Sequence, residues 1–161
     1  NTAGVWLETS TLAASDAETL LSVRERVRSE YQKADGLQII HCDLWHENIK
    51  VHRGRLHPFD FEDTIWGYRL HDIAMGMLDL LETVGNDRYA TLLAAFRQGY
   101  SSLQDWPAGS LETFQAGRML WQLNYTATFA PQHLAKRVER YANIFRGFEE
   151  TGELRLLLEN V

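Results

Sequence analysis

The stretch His41-Cys42-Asp43-Leu44-Trp45-His46-Glu47-Asn48, followed by Ile49–His52, Arg53-Gly54, Arg55–Phe59 and Asp60-Phe61-Glu62-Asp63, decides how this chain is read. Ile49–His52 and Arg55–Phe59 have the look of two short strands. Arg53-Gly54 between them is a two-residue turn signal, so the pair predicts a β-hairpin. Pro58 has no N–H to give a ladder, which puts it on an edge or where the strand leaves the sheet. A hairpin returns the chain to its starting point, so Asn48 at the entrance and Asp60 at the exit are expected to be neighbours. Both carry hard oxygen donors of the kind Mg²⁺ takes beside phosphate oxygens and water. Asp43 lies on an irregular polar loop ahead of Asn48, where it can face an incoming hydroxyl. An acid that orients or deprotonates a hydroxyl, next to a metal that holds phosphates, is the working set for phosphoryl transfer.

Outward from this stretch the chain reads as helical. Residues 1–11 carry no period and form a lead-in. Ser15 and Glu18 make a capping-box pattern for a helix over residues 12–33, with Leu20, Val23, Val27 and Tyr31 on one face. Asp35-Gly36 stops it. Leu37–Ile40 is a short apolar strand or buried extended segment. Beyond residue 63 everything is read as a helical bundle over residues 69–149. Leu70, Ile73, Ala74, Met77, Leu78 and Leu81 recur at helical spacing. Tyr89, Leu92, Leu93, Phe96, Tyr100 and Leu103 mark a second helix. Leu111, Phe114, Trp121 and Tyr125 mark a third, capped by Ser110. Leu134, Val138, Tyr141, Phe145 and Phe148 mark a fourth, with Pro131 suited to its first position. The fold class is therefore mainly α with one small β-hairpin, an α+β arrangement in a single domain.

Composition limits the partners. The chain has 161 residues, 45% hydrophobic and 24% charged, as expected of one globular domain. Sixteen Lys and Arg against 22 Asp and Glu give a net charge of −6, which disfavours nucleic acid and suits a small cationic substrate. No apolar run reaches the roughly 18 residues of a membrane span, and no leader pattern is present. The lone Cys42 cannot form an internal disulfide, which fits a reducing, cytoplasmic setting. The residue types of His41, Asp43, His46 and Asp60 would also suit a transition-metal hydrolase, but without H-x-H or H-E-x-x-H spacing.

With these residues in hand, a family likeness becomes specific. The D-x-x-x-x-N of Asp43 and Asn48 is the spacing of a protein-kinase catalytic loop. Residues 41–48, the hairpin and Asp60-Phe61-Glu62-Asp63 together resemble the aminoglycoside phosphotransferase/choline kinase family, whose pattern is H-G-D-x-x-x-x-N followed by I-D-F-x-D. Gly67-Tyr68-Arg69-Leu70-His71-Asp72-Ile73-Ala74 resembles the family's G-x-x-x-x-D-[LI]-A segment. The stretch is most like the bacterial homoserine-kinase-type and aminoglycoside-kinase-type branch. The likeness is specific over residues 39–75; the later helices are compatible with it.

The resemblance implies the C-terminal lobe of a protein-kinase-like fold, with ATP as co-substrate and Mg²⁺ as cofactor. It makes Asp43 the catalytic acid or base and has His41 hold the catalytic loop. Asn48 and Asp60 become the metal and nucleotide-phosphate ligands, and Asp72 a brace accepting backbone hydrogen bonds. Glu62, Asp63 and Trp45 would face a small cationic, hydroxyl-bearing substrate, and Trp66, Tyr68, Trp121 and Tyr125 are further aromatic candidates for a cation.

Two departures stand out. Cys42 replaces the usual Gly and should fit unless the position needs a positive φ. The 40 residues before His41 hold no G-x-G-x-x-G loop and no strand lysine, so the N-terminal ATP lobe is expected to be missing from this chain. An exposed cleft face would then invite self-association or pairing with that lobe. The alternative function is a non-catalytic kinase-like binding or assembly module.

Overall fold

The structure, a computed structural model, describes residues 12–33 and 36–156. The lead-in 1–11 and Asp35 lie outside the described residues. In chain order the elements are α1 (Ala14–Lys33), β1 (Gln38–Ile40), a 3₁₀ turn (His46–Asn48), β2 (Ile49–His52), β3 (Arg55–Pro58), β4 (Ile65–Gly67), α2 (Arg69–Val84), α3 (Asn86–Ser101), α4 (Leu111–Phe129), a second 3₁₀ turn (Pro131–His133) and α5 (Leu134–Thr151). The fold is mainly helical with two small antiparallel sheets, as the sequence predicts for its class. Among the described residues no helix is long and apolar enough to cross a membrane.

The described residues group into two units, one of residues 12–32 and 116–156, the other of residue 33 and residues 36–115. In the first, Leu20 and Val23 of α1, Met119 and Leu123 of α4, and Val138, Tyr141, Phe145 and Phe148 of α5 are buried. Each fully buried side chain of this size contributes about 1.5–3 kcal/mol. Val27 and Tyr31 face Gly117, where a Cβ would stand 3.1 Å from Val27 Cγ1. Arg146 reaches Asp16 at 2.5 Å, and the Arg26 guanidinium lies 4.2 Å over the Phe148 ring. The capping box at Ser15 does not form. The helix runs from Ala14, so Ser15 lies inside its first turn and not at the cap, and the Ala13 carbonyl accepts from Asp16 and Ala17.

The second unit carries the site. Its apolar centre is α2, on which Leu70, Ile73, Ala74, Met77, Leu78 and Leu81 are all buried. β2 and β3 pair as expected, Ile49 with Pro58 through His52 with Arg55. Arg53 (φ 49°) and Gly54 (φ 72°) form the turn, and two positive φ values match a type I′ hairpin. The region after residue 63 is not all helical. β4 pairs antiparallel with β1, Ile40 opposite Ile65 and Gln38 opposite Gly67. A strand of three residues has too short a period to be separated from a helix lead-in by sequence.

Three apolar readings shift as well. Of the Leu37–Ile40 run only Ile40 is buried. Helix α3 has no buried residue and ends at Ser101, leaving Leu103 exposed beyond it. On α4, Leu111 and Phe114 are buried but Trp121 and Tyr125 are about half exposed; Met119, Leu120 and Leu123 take the inner face. Ser110 caps α4 by accepting the Thr113 N–H at 3.2 Å.

Gly67 is packed against its neighbour strand: a Cβ there would lie 2.9 Å from Cγ1 of buried Ile40. Gly67→Ala is therefore expected to destabilise the chain by about 1–3 kcal/mol through overpacking, read as a lower urea midpoint. An unchanged midpoint would mean that Ile40 has room to turn away.

Candidate active site

The loop 41–48 is held by carboxylates of α2. Asp72, in the first turn of that helix, accepts the His41 N–H through Oδ2 and the Cys42 N–H through Oδ1, both at 2.8 Å. Two turns further on, Asp79 accepts the His46 N–H at 3.0 Å and the His46 imidazole Nδ1–H at 2.8 Å. Residues 72, 76 and 79 fall on one helical face. Gly76 lies between the carboxylates, where a Cβ would come within 3.4 Å of the Leu44 carbonyl.

His41 is buried and works as a connector. Its Nε2 donates to the Phe59 carbonyl at 2.9 Å, and its Nδ1 accepts the Asp43 N–H at 3.4 Å. One imidazole thereby ties the 41–48 loop to the residue just past the hairpin's second strand. Its ring also lies 4.7 Å from that of Phe61. Asn48 is buried too. Its Nδ2 donates to both the Asp43 carbonyl and Asp43 Oδ2 at 3.0 Å. That leaves Oδ1 as its remaining polar atom. The Phe59 N–H donates to the Asn48 carbonyl at 3.0 Å, so Asp60 follows one residue after a direct bond to Asn48. Asp43, Asn48 and the start of the Asp60 segment are thus brought together.

This donor set fits a hard divalent cation. Asn48 Oδ1 and the exposed Asp60 carboxylate make no hydrogen bond or ion pair among the described residues. Both are oxygen ligands of the type Mg²⁺ prefers. The hydrolase grouping of His41, Asp43, His46 and Asp60 is not assembled: His41 is bound to Phe59 and His46 to Asp79. Among the described residues no three His, Cys, Asp or Glu form a metal-holding group.

Two site residues sit in left-handed backbone, Cys42 at φ 67° and Asp60 at φ 64°. The family's glycine position therefore does require a positive φ, and Cys42 occupies it at a cost of about 1–2 kcal/mol. The Cys42 thiol lies 3.9 Å from His71 Nε2. The substrate candidates are less ordered by contacts. Glu62 and Asp63 are exposed in the turn that Thr64 closes by bonding the Phe61 carbonyl. Trp45 lies edge-on to His46, and Trp66 is exposed on β4. Trp121 stacks on Tyr125, and the Tyr125 ring lies tilted 4.7 Å from that of Phe129.

Asp79 was not singled out by sequence. Its signal is the seven-residue interval from Asp72, which returns it to the same helical face. Asp79 also raises the His46 pKa above 6.5, first through the hydrogen bond and then through charge. A raised folded-state value favours the folded chain below the unfolded pKa, and that contribution fades as pH climbs through the folded one. An NMR titration should therefore place His46 above 6.5, and Asp79→Asn should bring it back towards that value. A His46 midpoint indifferent to the substitution would break the pairing.

A family model described as "Phosphotransferase enzyme family" matches residues 5–111. No curated protein sequence matches the chain. Among solved structures, "Amicoumacin kinase hAmiN in complex with AMP-PNP, Ca2+ and Ami" is similar, with a TM-score of 0.66 and 17% identity over 85% of this chain. The chain spans about half of that protein's length, 47%. At this identity the likeness is one of fold, and it is the kinase-like fold. The family match covers more than half of the chain and takes in the loop, the hairpin and the Asp72 turn. On that ground the chain belongs to the phosphotransferase enzyme family.

Proposed function

We propose that this chain is the larger, C-terminal lobe of an ATP-dependent small-molecule kinase, completed by an N-terminal nucleotide lobe. It would transfer the γ-phosphate of ATP to a hydroxyl of a small cationic substrate. The observation that carries the reading is the Asn48 amide donating to Asp43 Oδ2, which couples the two ends of the D-x-x-x-x-N loop at 3.0 Å. The similar solved structure supports it, since that kinase is described with AMP-PNP, Ca²⁺ and Ami bound.

In the proposed reaction Asn48 Oδ1 and Asp60 hold Mg²⁺. When bound, the ion neutralises phosphate charge. Asp43 orients the acceptor hydroxyl and takes its proton as the new O–P bond forms and the bond to the β-phosphate oxygen breaks, releasing ADP. His41 keeps Asp43 in place by accepting its N–H and by anchoring to the Phe59 carbonyl. Asp72 holds the two residues ahead of Asp43. Glu62, Asp63 and Trp45 supply negative charge and an aromatic face to a cationic acceptor.

The first test is calorimetry of AMP-PNP binding to the 161-residue chain with and without Mg²⁺. Binding that needs Mg²⁺ and is lost in Asp60→Ala is the expected result. Binding retained in Asp60→Ala would sink the metal assignment, and a wild-type chain that binds nothing would mean that this lobe needs the N-terminal lobe to hold the nucleotide. In the intact phosphotransferase, Asp43→Asn is expected to lower kcat by about a hundred- to ten-thousandfold with KM little changed. Wild-type turnover in that variant would remove Asp43 from the chemistry.

A further inference from the structure

The 3₁₀ turn His46–Asn48 presents Asn48, yet its own N-cap residue, Trp45, makes no side-chain capping bond. Turn and helix N-termini leave N–H groups that need an acceptor. Here the acceptor comes from another element. Asp79 Oδ2 takes the His46 N–H at 3.0 Å, the first amide of the turn. The geometry points to Asp79 as a positioning residue that caps this turn from outside and so fixes the direction of the Asn48 side chain. The inference rests on the phosphotransferase reading for the role of Asn48.

Three observations support it. The Asp79 side chain is 19% exposed while that of His46 is 63% exposed, so the carboxylate is the sheltered partner and the imidazole its solvent cover. The turn closes internally by the Asn48 N–H donating to the Trp45 carbonyl at 3.0 Å, so fixing the start of the turn fixes Asn48. Asp72 grips residues 41 and 42 and Asp79 grips residue 46, which leaves Asp43 between two anchors on one rigid helix. Gly76 adds no side chain where the Leu44 carbonyl passes. Partners that orient a metal ligand without touching the metal typically alter metal affinity by about 10–100-fold when removed.

The decisive comparison is among Asp79→Ala, Asp79→Asn and His46→Ala in the 161-residue chain. Amide hydrogen exchange over residues 45–48 is read first, and then the Mg²⁺ concentration giving half-maximal AMP-PNP binding. Asp79→Ala should lose protection at the His46 amide and raise the Mg²⁺ midpoint about tenfold or more, with AMP-PNP affinity at saturating Mg²⁺ little changed. Asp79→Asn keeps an oxygen acceptor and should restore most of both. His46→Ala keeps the backbone N–H and should stay within about twofold of wild type. If Asp79→Ala does not fold, Asp79→Glu, which displaces the carboxylate by one methylene, takes its place. Unaltered exchange in Asp79→Ala would overturn the inference, as would a His46→Ala variant that copies it. Should the wild type bind no nucleotide, that result bears on whether this lobe holds nucleotide without an N-terminal lobe and not on Asp79. The exchange data then decide whether Asp79 caps the turn.

Discussion

The carboxylate of Asp72 takes two consecutive backbone N–H groups, and the site depends on that pair of bonds. Both acceptors belong to one rigid side chain in the first turn of a helix whose apolar face is buried. The donors lie where β1 ends and the loop begins. Each bond to a charged acceptor is worth about 1.5–3 kcal/mol, and losing the acceptor would leave two amides to be satisfied elsewhere. The direction in which the chain leaves β1 is thereby set by the helix core rather than by the loop itself.

From that anchor the geometry propagates by short steps. His41, fixed through its N–H, bridges to the Phe59 carbonyl on the other side of the hairpin. Asn48 reaches back to Asp43 with its amide and across to Phe59 with its carbonyl. The hairpin strands are almost entirely exposed, so hydrophobic burial does not hold them against the loop. Backbone and side-chain hydrogen bonds do. A polar network of this kind specifies one arrangement only when its members are satisfied together.

Local periods made much of this legible in the sequence. The hairpin boundaries, the buried stripe of α2 and the Ser110 cap each follow from residues close together in the chain. The spacing of Asp43, Asn48, Asp60 and Asp72 marked the site for the same reason, because loop, hairpin and helix follow one another directly. Features decided by distant partners were not legible. The pairing of β1 with β4 joins segments 25 or more residues apart, and each is too short to show a period. Trp121 and Tyr125 share helical spacing with the buried residues of α4, yet the neighbours that select the inner face come from elsewhere in the sequence. Asp79 had a visible interval from Asp72, but polar residues on a solvated helix face are the ordinary case, and only the loop lying against them distinguishes this one.

Two of the strained residues show how brace and site are linked energetically. Cys42 and Asp60 flank the loop and hairpin, and both adopt left-handed backbone. Asp tolerates that conformation better than most side chains, and Cys less well. The bond from the Cys42 N–H to Asp72 is made in that same conformation, and its stabilisation is of the size needed to offset the strain of about 1–2 kcal/mol. A glycine there would remove the strain and leave Asp72 to orient the loop alone. With cysteine, the strain and the brace meet at one residue, and the bond to the helix carboxylate offsets part of that strain. The same helix then serves two ends: its apolar face builds the core, and its acidic face accepts the N–H of the strained residue before Asp43.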